Sequence, residues 1–491
     1  MTKTYLGIDV GTSSTRVVLV RDDGAVLDAG TAPYPIIRRP HGIAEQDPTA
    51  WVAALRAALS EVDLVTYPPD AIGLCGQTPT VVMVDADGVP LSNALTWQDT
   101  RAELEAKELA HQFGDPESIF GTALAWSASA VPAKLKWIGR HQPDLVTATA
   151  FVLQPKDFIG MQLTGSPLSD PWSSKGLCRV TDGAPASDVL EACGWRRDVC
   201  PPIAPAWSER GVVSKQAAKY FGLRAGTPVT VGWSDALAEM LAAGCFAESS
   251  AFVFSGTSSI VGTAIADENV RAAGLYSVPR YCAPTALLYG PTQSGGSAFQ
   301  WVARLLGCSV DELFTIAKDA GTSLPVFVPY LSGERAPLWD QNVRALFLGL
   351  SDEHGRAEIA MSVVLGVFLG TRHVLDDIER AGGVSIDVVD IAGRGVGDAV
   401  WEAAALHGIG RSLRFHQDPD LSARGAAVLA AAVEREDPVG ASRLLSDEVK
   451  FSPRAERVEQ LDRHLVERYR EASEIALQWR ASEAQRREGA T

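Results

Sequence analysis

Cysteine is sparse in this chain and forms no pattern. Its seven residues, Cys75, Cys178, Cys193, Cys200, Cys245, Cys282 and Cys308, are odd in number, widely scattered and without a C-x-x-C pair. Neither a disulfide framework nor a zinc or redox motif is indicated, and they read as reduced thiols in a cytoplasm. Basic charge is short as well: 44 Lys and Arg stand against 60 Asp and Glu, for a formal net charge of −16. That balance argues against a surface for nucleic-acid phosphates or anionic lipid and favours a small soluble partner. The eight histidines show no metal-ligand spacing. Long polar tracts that would suggest disorder are missing. No uninterrupted apolar run of spanning length is expected, and the N-terminus enters a strand-like segment without a signal core, so neither membrane insertion nor secretion is expected.

What is present begins with size. A chain of 491 residues exceeds one hydrophobic core and suits two large lobes with a tail. An internal repeat supports this. Tyr5-Leu6-Gly7-Ile8-Asp9-Val10 leads into Gly11-Thr12-Ser13-Ser14 and the β-rich run Thr15 to Val20; Ala251 to Ser255 leads into Gly256-Thr257-Ser258-Ser259 and Ile260 to Thr263. A tight turn of glycine and small hydroxyl residues lets backbone N–H groups approach a phosphate. A single GTSS is equally a good hairpin turn; two, each opening a lobe, point to a duplicated fold with a nucleotide between the hairpins. The sequence contains no G-x-x-x-x-G-K-[ST], and Gly393-Arg394-Gly395-Val396-Gly397 lacks the G-x-G-x-x-G spacing, which excludes a P-loop and disfavours a Rossmann dehydrogenase.

Ala71 to Cys75 and Val81 to Val84 read as strands, with Gln77 to Thr80 a loop between them. Pro228 to Trp233 reads as a strand that delivers Ser234 and Asp235 to a helix from Ala236 to Leu241. Ile359 to Val374, Asp398 to Leu413 and the charged, amphipathic Val458 to Gln485 read as helices. The lobes are expected at 1–244 and 245–435, followed by a helical tail over 436–491.

Several ordered motifs resemble the FGGY family of carbohydrate kinases, with xylulokinase-like members the nearest in pattern. They are GIDVGTSSTR, GQ followed by WQDTR (Trp97 to Arg101), LQPKDF, GWSDA, SGTSS, GERAPLWD, AGRG and ARGAAVLA. The resemblance implies an α/β fold of two ribonuclease H-like, actin-like ATPase lobes, with ATP in the interlobe cleft and its γ-phosphate passing to a sugar hydroxyl. The alternative substrates are ribulose, fuculose, gluconate, glycerol or another polyol. A non-enzymatic relative of the same superfamily, such as a chaperone or filament former, is the competing class, and Asp235 with WQDTR argues against it. A homodimer is compatible with the sequence.

By the same resemblance, Asp9 helps hold Mg²⁺ through water; the alternative is a turn-capping aspartate. Gly11, Thr12, Ser13 and Arg16 are candidates for the terminal phosphates, joined by Gly256 and Thr257 from the second hairpin, although Arg16 also fits a solvated strand position. Asp235 matches the general base that takes the sugar hydroxyl proton; a helix N-cap is its alternative. Gln77, Thr78, Trp97, Asp99 and Arg101 are the sugar candidates, since an aromatic face with amide and acid groups suits a polyol. Asp99 and Arg101 equally suit a structural ion pair. Gly393, Arg394 and Gly395 match the adenosine loop. Glu334 and Arg335 read as an interlobe tether or plain surface. Where xylulokinase-like members continue glycine-glutamine with methionine and histidine, this chain has Thr78 and Pro79, so selection at one sugar carbon is expected to relax or shift unless Thr78 or a water replaces the contact.

Overall fold

The structure is a computed structural model that describes residues 2–246, 250–417, 420–433, 435–445, 450–452 and 458–488. The chain forms two compact units, one of residues 1–246, 278–286 and 420–447, the other of 247–277, 287–419 and 448–491. These units do not follow the chain linearly, in contrast to the expected division at 244 and 435. Residues 420–447 return to the first unit because a helix of small residues there has its packing surface on the first sheet. Of the expected tail, 446–449, 453–457 and 489–491 lie outside the described residues.

In the first unit the sheet runs Glu209–Val212, Pro228–Thr230, Ala71–Gly76, Thr4–Val10, Ser14–Arg21 and Val26–Pro33 in spatial order, with Trp233–Ser234 also pairing Ala71–Gly76. Thr4–Val10 is parallel to Ala71–Gly76 and antiparallel to Ser14–Arg21. Both central strands are buried along their whole length, which is why they read as continuous apolar runs instead of alternating ones. The ARGAAVLA segment lies in the helix Leu421–Ala432, all of it buried. It packs so closely that a Cβ on Gly7 would fall 1.8 Å from the Ala423 carbonyl oxygen, and one on Gly73 would fall 1.7 Å from that of Ala426. Small residues on both partners are therefore required by contact. The expected strand from Pro228 to Trp233 is split, because Gly232 turns the backbone to φ +84° before Trp233 and Ser234 rejoin the sheet and the helix Asp235–Ala242 begins.

The second unit repeats the plan. Its sheet runs Tyr276–Val278, Ala286–Pro291, Ser259–Ile265, Ser250–Ser255, Val388–Gly393, Ser412–His416 and Lys450–Ser452. In each unit the first strand pairs antiparallel with the strand after its hairpin and parallel with a later strand on its other side, the ribonuclease H-like order. The helix Ala399–Ile409 stops before Leu413, which lies in a strand. The helix Arg356–Gly382 is the one helix among the described residues long and apolar enough to span a membrane, which the sequence reading did not expect, and 67% of its most apolar window is buried. It is a core helix of this unit, packed on the helix Ala399–Ile409. The helix Val458–Glu488 docks on this unit as well: Tyr469 and Ala472 are buried, and Ser473 and Tyr330 share a hydrogen bond of 2.8 Å.

Candidate active site

The first hairpin is held by amides from neighbouring elements. Gln77 Nε2 donates to the Gly11 carbonyl (3.0 Å) and to Gln46 Oε1 (2.8 Å), while Gln46 Nε2 donates to the Thr12 carbonyl (2.8 Å). The Tyr34 hydroxyl donates to the Gly11 carbonyl as well, at 2.6 Å. Gln77 is thus buried at the root of the hairpin, but its Oε1 has no partner among the described residues. Trp97 is 40% exposed and its indole N–H donates to Thr12 Oγ1 at 3.0 Å, so the aromatic face and the hairpin are fixed relative to each other. Thr78 is half-buried and follows Gln77 directly. Ser13 is exposed at the hairpin tip, and Arg16 pairs with Asp420 at 3.5 Å.

Asp99 and Arg101 form the structural alternative. Asp99 has no exposed surface; it accepts from the Ala44 N–H at 2.8 Å and pairs with Arg101 at 2.6 Å, and Arg101 also pairs with Glu45 at 2.7 Å. The Arg101 guanidinium lies 4.9 Å from the centre of the Trp137 ring. The Asp99 carboxylate is thus committed to local donors, as a buried carboxylate must be. Beneath this loop, the fully buried Lys134 donates to the carbonyls of Pro79 (3.0 Å) and Thr96 (2.7 Å), and burial pulls its ammonium down to about 7.

Asp235 and Asp9 lie in the same unit. The capping alternative for Asp235 fails: Ser234 is the N-cap, its hydroxyl accepting from the Leu237 N–H, and Asp235 is the first helical residue. Its Oδ1 accepts from the Ala236 N–H at 2.8 Å. Burial pushes its carboxyl up to about 7, the Asp9 charge adds to this, and the Ala236 N–H and Lys175 oppose it. Asp9 lies within the strand instead of capping a turn. It accepts from the Ser422 hydroxyl at 2.7 Å and the Cys75 thiol at 3.5 Å, and burial raises it against the Ser422 hydrogen bond and the Arg16 charge. Glu239, one turn after Asp235, is pushed up to about 8 by burial and then by Asp235 and Asp9. The Asp9 charge thus raises both Asp235 and Glu239. Among the described residues no group of three or more His, Cys, Asp or Glu is placed to hold an ion by itself.

The second hairpin caps a cavity of about 440 Å³ within its own unit, lined by Gly256, Thr257, Gly296, Gln300, Arg394 and Gly395 among others. The N–H groups of Gly296 and Ser297 donate to the carbonyls of Gly256 (2.8 Å) and Thr257 (3.1 Å), which seats the hairpin on the start of the helix Gly296–Leu306. Gly393 ends the strand paired with Ser255. Within the second unit Glu334, 5% exposed, accepts from the Gln293 N–H, and the half-buried Arg335 donates to the Thr292 carbonyl at 2.6 Å. The sequence reading missed Gln46, Ser422, Glu239 and Gln300, which carry no motif of their own and are brought in by tertiary packing.

Duplicated ribonuclease H-like sheets, each with a glycine-serine-threonine hairpin after its first strand, are the architecture of the actin-like phosphotransferases. Residues 4–242 match the N-terminal domain of the FGGY family of carbohydrate kinases and residues 251–433 its C-terminal domain; the chain belongs to this family. It is 31% identical to the xylulose kinase of Escherichia coli strain K12 over 87% of this chain and 89% of that one. To the xylulose kinase of Bacillus subtilis strain 168 it is 26% identical, over 87% and 88%. The crystal structure of xylulose kinase from Rhodospirillum rubrum superposes with a TM-score of 0.86 at 26% identity, covering 97% of this chain and 99% of that one.

Proposed function

We propose that this carbohydrate kinase transfers the γ-phosphate of ATP to a hydroxyl of a ketose, a pentulose of the xylulose type, in the cytoplasm. The observation that carries the reading is the Asp235 carboxylate at the start of its helix, relieved of capping by Ser234 and raised toward neutrality by burial and the Asp9 charge. Asp235 accepts the proton of the sugar hydroxyl as its oxygen bonds to the γ-phosphorus and the bond to ADP breaks. The Gly256-Thr257 hairpin and the cavity beside Gly393 to Gly395 support a nucleotide role, the cavity being of a size suited to adenosine. Gly11, Thr12 and Ser13 would face the transferred phosphate, with Arg16 offsetting its charge. Asp9 would hold Mg²⁺ through water, and that ion, when bound, neutralises charge on the phosphates. Trp97 and Thr78 offer open surface for the sugar, Gln77 offers a buried acceptor, and Asp99 with Arg101 holds the loop that carries Trp97.

Replacing the base tests this. Asp235→Asn keeps size but cannot take the proton, so kcat is expected to fall on the order of a hundredfold to ten-thousandfold, with ATP affinity by calorimetry little changed. Near-normal turnover would remove Asp235 from this role.

A further inference from the structure

Two loops carry the open surfaces assigned above to the sugar, and backbone pairing between them stops short of both. The Val81 N–H donates to the Leu95 carbonyl at 2.9 Å, and the Leu95 N–H to the Val81 carbonyl at 3.0 Å. Beyond this bridge the two segments turn to other partners. The Thr80 N–H donates to Gln154 Oε1 at 2.9 Å and the Thr96 N–H to the Ala44 carbonyl at 3.1 Å. Among the described residues no backbone hydrogen bond joins 77–80 to 96–101. Thr78 thus stands on one branch of a fork and Trp97 on the other.

Lys134 bridges the fork. It belongs to the helix Val131–His141, whose Val131, Ala133, Leu135 and Ile138 lie in an apolar core, and it is fully buried itself. Its ammonium donates to the Pro79 carbonyl at 3.0 Å, to the Thr96 carbonyl at 2.7 Å and, at the long limit of 3.5 Å, to the Leu95 carbonyl. These contacts account for the three donors of an ammonium, and among the described residues no carboxylate forms an ion pair with it. A methionine would fill the same space without the cost of burying an amine among apolar side chains. What the lysine adds is a direct link between the residue after Thr78 and the residue before Trp97. The Trp97 indole is tied in turn to Thr12 of the first hairpin, so the spacing of the fork is referred to the phosphate turn.

We propose that Lys134 is a positioning residue for sugar selection, acting through Thr78 and Trp97: it fixes the spacing of the two loops that read the hydroxyls of the ketose. The inference rests on the kinase reading above and on its assignment of Thr78 and Trp97 to the sugar. A misplacement of about 1 Å at a site of this kind can cost on the order of a hundredfold in rate, and epimers differ by less than that in the reach of one hydroxyl.

The test replaces Lys134 by Met, which keeps an unbranched stem and removes the donors. Steady-state kinetics are run with ATP and a panel of epimeric ketoses, once turnover by the unaltered enzyme is established. For Lys134→Met the sugar KM is expected to rise on the order of tenfold with the KM for ATP within about twofold, and the ratio of kcat/KM between the best and the poorest accepted ketose to fall severalfold. That ratio does not depend on how much of the protein is active, so a merely structural role would leave it unmoved. A ratio and a sugar KM unchanged within about twofold overturn the proposal, as does an ATP KM that rises in step with the sugar KM. If Lys134→Met does not fold, Lys134→Gln decides: its amide ends one bond short and cannot reach both carbonyls, so the same shifts are expected at smaller size, and no shift overturns the proposal. Failure of both variants to fold makes Lys134 a folding residue and overturns it too. Absence of any sugar turnover by the unaltered enzyme refutes the kinase reading, and an unchanged sugar KM in Trp97→Ala refutes the placement of the sugar; unmoved kinetics in Lys134→Met while both controls hold refute Lys134 alone.

Discussion

Asp235 and Glu239 each carry a prediction at the residue scale. With Asp235 held near 7, its basic form is lost as pH falls through that region, so kcat/KM should drop toward lower pH with a midpoint near neutrality in the ligand-free enzyme. A pH-rate profile checks this, and a flat profile from about pH 5 to 8 would contradict it. Glu239 gives a stability prediction. Its folded value is raised from 4.5 to about 8, so the folded chain keeps a proton that the unfolded chain releases, and stability from this group is lost as pH rises across that window. Glu239→Gln should therefore melt a few degrees higher than the unaltered protein above that window, with the difference vanishing at its acid end. Thermal melts at several pH values measure it.

At the scale of elements, the helix Leu421–Ala432 is what brings Ser422 to Asp9, and it can do so only because the strands beneath it carry Gly7 and Gly73. Gly73→Val should cost more than about 3 kcal/mol, since the new side chain meets helix backbone that cannot yield; chemical denaturation reads this directly. The loop at Thr78 and Pro79 belongs to the proposed sugar site. Its proline carbonyl is already committed to Lys134 and its ring offers no donor, so D-xylulose is predicted to be one of several accepted substrates, with another ketopentose, a ketohexose or a polyol at least as good by kcat/KM. Pro79→His should sharpen that selection, whereas strong natural preference for D-xylulose unchanged by the substitution would contradict the prediction. These elements also mark what the sequence could reveal. The two hairpins, the buried central strands and the position of Asp235 at a strand-to-helix junction were legible because each depends on local residues. The Asp99–Arg101 pair, the Gln46–Gln77 amide contact and the return of residues 420–447 to the first unit were not, because they depend on which distant segments meet. The LQPKDF motif illustrates the limit: Lys156 and Asp157 are fully buried ion-pair partners 2.5 Å apart, a structural role that its spacing alone does not distinguish from a catalytic one.

At the scale of the whole molecule, the account assigns sugar deprotonation to one unit and nucleotide binding to the cavity of the other, so turnover of ATP should depend on the presence of a sugar. A superfamily relative that used ATP only to change conformation would have no such dependence and no use for the Asp235 carboxylate. The most direct measurement is ADP release by the purified protein with ATP and Mg²⁺ across a panel of pentuloses, hexuloses, aldonates and polyols, with the product identified by mass. The account predicts that a ketose, D-xylulose among those accepted, stimulates release far above the basal rate and yields a sugar monophosphate; a basal rate unchanged by every member of the panel would contradict it.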